Sequence, residues 1–100
     1  MHDENHAIIV NVLDSKFSAT TAAVVRSALV AMLPLYPGQD LLTLALRTLT
    51  SLAINTRVDI PDQVTLLLTS LAPEARLQVR LSILADLSLL ARPDTVNRAL

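Results

Sequence analysis

Cysteine and tryptophan are absent from this sequence. Without cysteine there is no disulfide framework, no thiolate metal site and no thiol nucleophile. Glycine occurs once, at Gly38, so glycine-rich phosphate loops and dinucleotide-binding turns have no raw material. Phe17 and Tyr36 are the only aromatic residues, too few to form a platform for stacked bases. Charged residues make up 17% of the chain and the formal net charge is −1, so no basic field exists to hold a polyanion. Lys16 is the single lysine, and the other cations are arginines.

What remains is aliphatic. Hydrophobic residues form 52% of the 100 residues, which excludes intrinsic disorder. Leucine is the commonest residue, and leucine and alanine are strong helix formers. A chain of this length is expected to be one domain, residues 1–100, with residues 1–5 frayed. The start, Met1-His2-Asp3-Glu4-Asn5-His6, lacks the positive charge of a secretory signal. The most apolar window, Ala19 to Leu35, is interrupted by Arg26 and Pro34 and reads as a buried helix rather than a membrane span. A cytoplasmic location is the resulting expectation.

Helix punctuation is legible despite the lack of glycine. Asp3 caps a first helix over 4–16, with Ile8, Ile9, Val12 and Leu13 on its apolar side. Ser18 and Thr20 offer caps for a second helix running to Leu33, where Pro34 removes a backbone donor. Asp40 caps a third helix ending near Ile54, with Asn55 as a left-handed stop. Pro61 opens a fourth helix to Ala72, Pro73 a fifth to Ala91, and Pro93 a short sixth segment. The fold class is all-α: five or six helices packed as antiparallel hairpins, because the links are short.

In the third helix, Leu41, Leu42, Ala45, Leu46, Leu49, Leu52 and Ala53 share one arc. Asp40, Thr43, Arg47, Thr50 and Ser51 lie opposite, on a face with little charge. The second and fifth helices are apolar nearly all round, which marks a helix as central or as covered by a partner. Thr50-Ser51-Leu52-Ala53 recurs as Thr69-Ser70-Leu71-Ala72, and Leu89-Leu90-Ala91 stands at a further helix end. A helix-plus-turn unit of that spacing implies a two-helix unit of about 40 residues, the length of HEAT-type repeats. Leu35 to Leu42 and Ala91 to Asp94 resemble the inter-helix joints of tetratricopeptide-like proteins, a character shared by small helical-hairpin chaperones.

Residues that carry chemistry are few. His2 and His6 stand one helical turn apart, but no other histidine or cysteine completes a metal site. Nucleophilic catalysis needs a hydroxyl beside an oriented base, and the histidines are both terminal. Asp40, Asp62 and Asp94 sit at helix starts, where capping accounts for them. Asp86 alone falls mid-helix among apolar residues, either facing solvent or paired with an arginine such as Arg80 or Arg92. No enzyme, cofactor or metal is expected.

Leu84 to Leu100 resembles the helix-turn-helix of bacterial transcription regulators: a Leu-Ala helix, a turn, then Arg92-Pro93-Asp94-Thr95-Val96-Asn97-Arg98. That resemblance implies a DNA-binding regulator whose Thr95, Asn97 and Arg98, with Arg92 at the turn, reach the major groove. The net charge of −1 supplies little of the phosphate-binding energy such a protein needs. The leading expectation is therefore a protein–protein interaction module: an adaptor, small chaperone or assembly subunit. It would bury apolar helical surface in a homodimer or an obligate hetero-complex. The candidate contact residues are Met32, Leu35 and Tyr36 at the proline break, the Thr43, Arg47 and Thr50 face, and Leu66.

Overall fold

The structure is a computed structural model that describes residues 19–57 and 59–92. Among these residues there are four α-helices and no strand: α1 (Ala19–Met32), α2 (Gln39–Thr56), α3 (Ile60–Leu71) and α4 (Leu77–Leu90). A 3-10 turn, Leu33–Leu35, follows α1. The all-helical expectation holds at that level. The expected helix over 4–16 and the segment from Pro93 lie outside the described residues, which hold four helices and do not test the count of five or six.

Local chemistry places the boundaries. Pro34 enters the first turn of the 3-10 segment, where its missing N–H costs nothing, and the α-helix stops at Met32. Gly38, not Asp40, is the N-cap of α2, and Asp40 lies in the first turn. The left-handed stop is Arg57 (φ 58°, ψ 30°), two residues beyond Asn55, with its N–H bonded to the Ala53 carbonyl at 2.8 Å. Asp59 is also left-handed (φ 62°), so two such residues turn the chain into α3, which Pro61 opens.

The last helix starts four residues later than Pro73 suggests. Glu74 accepts the Arg76 backbone N–H at 2.9 Å and grips its guanidinium at 3.0 and 3.1 Å. That clasp holds Arg76 extended (φ −75°, ψ 120°) as the N-cap of α4. The same contacts lower the Glu74 carboxyl to a pKa of about 2, chiefly through the side-chain hydrogen bond from Arg76.

Helix α2 is the centre of the fold and packs against α1, α3 and α4. Of the two places expected for an all-apolar helix, central or covered by a partner, the centre is taken by α2 instead. Ala45, Leu46, Thr48, Leu49, Thr50, Leu52 and Ala53 are all buried, so the inner half of α2 is enclosed except along the side of Arg47 and Ser51, which are partly buried. Its threonines tolerate this because each hydroxyl donates to the carbonyl four residues back: Thr48 to Leu44 at 2.7 Å and Thr50 to Leu46 at 2.9 Å. A buried hydroxyl left without a partner costs about 1–3 kcal/mol, and here that cost is avoided within the helix itself.

The main core joins Leu46 of α2 with Leu67 of α3 and Val79, Ile83 and Leu90 of α4. A smaller cluster joins Ala22 and Val25 of α1 to Leu52. Chain neighbours are antiparallel across short links. Helices α2 and α4 instead run in the same direction: Gln39 and Thr43 share a groove with Gln78 and Ser82, and Arg47 meets Asp86 one turn further on.

Candidate interaction surface

Two polar links cross the interior. In the first, Arg26 of α1 donates to Gln63 Oε1 of α3, and Gln63 Nε2 donates to Thr50 Oγ1 of α2 at 3.1 Å. Gln63 and Thr50 are both fully buried, so this chain fixes three helices to one another without burying a net charge pair. In the second, Arg47 Nε of α2 donates to Asp86 Oδ1 of α4 in a charge-assisted bond. Asp86 is fully buried and its Oδ2 has no hydrogen-bond partner. Burial pushes the Asp86 carboxyl above the ordinary aspartate range, and the Arg47 hydrogen bond and charge pull the other way.

The partner of Asp86 is thus Arg47 rather than Arg80 or Arg92. Arg80 turns back and donates to the carbonyls of Leu71 and Glu74, both at 2.9 Å, closing the end of α3. No chemical centre emerges around these groups. Among the described residues no cluster of three or more histidines, cysteines, aspartates or glutamates could hold a metal ion. His2 and His6 lie outside them. Among them, too, no helix is long and apolar enough to cross a membrane.

The residues proposed for partner contact are dispersed. Leu35, in the turn after α1, is 73% exposed, while Met32 and Tyr36 beside it are half-buried. Thr43 is half-buried and donates to the Asp40 carbonyl at 3.0 Å. Arg47 is engaged with Asp86, and Thr50 lies wholly inside the domain, bonded to Gln63 and Leu46. The face carrying Thr43, Arg47 and Thr50 is the one that meets other helices of the same chain, which removes Thr50 from any surface in this fold. Leu66 packs half-buried against the main core, because the polar side to which its position assigns it turns inward at Gln63 and Leu67.

Besides Leu35, Val24 of α1, Leu41 of α2 and Leu68 of α3 are open, and three further large apolar residues are open on α4. Val79, Ile83, Asp86 and Leu90 form its buried stripe. The opposite stripe consists of Leu77, Leu81 and Leu84, exposed at 65%, 50% and 48%. The signal for it was the all-round apolar character of this helix. Periodicity could not say which leucines face out, because every direction carried one. The remaining exposed residues of α4 are Gln78, Ala85 and Ser88, so its outer face has no charge.

The helix-turn-helix resemblance finds no support. Leu84 to Leu90 are simply the second half of α4, which begins seven residues earlier at Leu77. Arg92 is exposed, while Thr95, Asn97 and Arg98 lie outside the described residues.

Comparison with known proteins supplies what the geometry does not. Residues 7–96 match the family model described as Integrator complex subunit 7, N-terminal. Over 74 residues the chain is 38% identical to Integrator complex subunit 7 of Danio rerio. That stretch is 74% of this chain and only 8% of the relative's length. No solved structure matches. The Integrator complex is nuclear, which overturns the expectation of a cytoplasmic location. That expectation rested on the lack of a signal and a span, and neither distinguishes cytoplasm from nucleus. A match running through all four helices, from before α1 to beyond α4, settles the classification: the chain belongs to the Integrator complex subunit 7 N-terminal family.

Proposed function

We propose that this chain is a non-enzymatic assembly module, serving as the N-terminal helical part of an Integrator complex subunit and acting by packing against other protein chains. The family match over residues 7–96 is the observation that carries this reading. The fold agrees with it: the polar groups of the interior are spent on tying helices together, and one helix, α4, carries a row of exposed leucines. We further read α1 with α2, and α3 with α4, as two successive helical hairpins of HEAT type. The parallel course of α2 and α4 and the 39-residue separation of Arg47 and Asp86 support that reading.

The test is co-purification at native expression level. The tagged chain, in the context of its natural protein, should bring down other Integrator subunits, identified by mass spectrometry. Substituting Leu46 with aspartate should abolish recovery along with folding, and Asp40→Asn, on the exposed start of α2, should leave it intact. Recovery of no other Integrator subunit by the folded protein would contradict the assignment.

A further inference from the structure

A small niche between α1 and the α2–α3 turn lies outside that reading. Its walls are apolar side chains of α1 and α2 and three polar ones: Arg26 of α1, Thr56 at the end of α2 and Asp59 in the turn. Its volume is about 10 Å³, close to the least that holds one water molecule. We propose that the niche binds a single water, which bridges Arg26 to Asp59 and to Thr56 and so ties α1 to the turn that opens α3.

Three observations select that occupant. The first is size. A niche of this volume admits one non-hydrogen atom, which excludes a peptide group, a carboxylate or a phosphate.

The second is what the three polar groups can still do. Arg26 spends one N–H on Gln63 Oε1 and has others, all of them donors. Thr56 gives its hydroxyl proton to the Leu52 carbonyl at 2.7 Å, so its oxygen is left to accept. The Asp59 carboxylate is an acceptor too, and it makes no capping bond to α3 from its left-handed position. The bridging atom must therefore accept once and donate twice. Water does both. A carbonyl oxygen cannot donate, an ammonium cannot accept, and a metal ion would sit against the Arg26 charge.

The third is the pairing of charge. Arg26 is bonded to a neutral amide, and within the described residues it makes no direct ion pair with Asp59, although both line the niche. Between opposite charges held just beyond contact, an ordered water replaces the missing bond at little loss. The polar chain from Thr50 through Gln63 to Arg26 then continues to Thr56 and Asp59.

Crystal structures of the full chain, at a resolution that orders first-shell water and with the niche clear of lattice contacts, test this. The wild type should show one water within about 3.2 Å of Arg26, Thr56 Oγ1 and Asp59. Asp59→Asn keeps an acceptor on a residue that tolerates the left-handed backbone, and should keep the water. Asp59→Gly tolerates the same backbone without an acceptor, and Thr56→Val removes the other acceptor; each should lose the water with the helices unmoved. A niche without ordered water in the wild type would overturn the proposal, and so would one closed by a direct Arg26–Asp59 ion pair. A water that persists unchanged in both Asp59→Gly and Thr56→Val would overturn it as well.

Discussion

Helices α2 and α4 invert the usual relation between hydrophobicity and depth. The face of α2 carrying Thr43, Arg47, Thr50 and Ser51 reads as solvent-facing, yet the helix is the most enclosed of the four. Helix α4 is leucine-rich in every direction, yet half of it faces water. The difference lies in how each polar group is satisfied. A threonine that returns its proton to its own helix can be buried cheaply, and a glutamine bonded on both sides can join three helices. Leucines on the outside of α4 are left exposed once its other side has packed on the core.

The largest expected effect comes from the core that both helices share. Leu46→Ala removes a fully buried side chain from α2 and should destabilise the domain by about 2–5 kcal/mol in denaturant unfolding. Leu84→Ala makes the same chemical change on the open face and should stay within about 0.5 kcal/mol at low protein concentration. Comparable losses at the two sites would erase the distinction between centre and edge.

The link between the two helices is next in size. Arg47→Ala leaves Asp86 buried without its cation and should cost about 1–3 kcal/mol. That is less than the roughly 3–5 kcal/mol of a fully buried pair, because the Arg47 side chain is partly exposed and Asp86 can take up a proton. Arg47→Met with Asp86→Leu should recover most of the loss.

A smaller effect is a slope with pH. The Asp86 carboxyl is raised in the folded state, so its favourable contribution is complete below the ordinary aspartate pKa and is lost as pH rises through the folded value. Unfolding free energy should therefore decline as pH climbs above about 4, and Asp86→Asn should flatten that decline. Glu74 acts with the opposite sign and in a lower window. Its pKa is lowered from 4.5 to about 2, so its contribution is present above the higher value and lost as pH falls toward the lower one. Denaturant titrations from pH 2 to pH 7 on wild type, Asp86→Asn and Glu74→Gln separate the two.

Local punctuation explains how far the sequence could be read. Pro34 and Pro61 mark boundaries because a missing N–H acts on its own helix, whatever surrounds it. Pro73 misleads because the Glu74–Arg76 clasp, three residues long, outcompetes a helix start there. The single carboxylate inside α4 reads in the sequence as either solvent-facing or paired with a nearby arginine, and its partner on α2, 39 residues away, depends on two helices running parallel. Periodicity within one helix carries no information on that. The same limit hid Gln63, whose role exists only where α1, α2 and α3 converge. It also hid the face of α4 that stays open.

One paired measurement reaches the central claim most directly: equilibrium unfolding by urea, at about 1 μM protein, of Thr50→Val and Leu81→Ser. The first makes a buried position more hydrophobic and the second makes an apolar position polar. On ordinary hydrophobicity the first should be the milder change. If the polar links of α2 hold the domain and the leucines of α4 are surface, Thr50→Val strips Gln63 Nε2 of its acceptor and lowers stability by about 1–3 kcal/mol, while Leu81→Ser shifts it by no more than about 0.5. A larger loss for Leu81→Ser than for Thr50→Val would contradict the account.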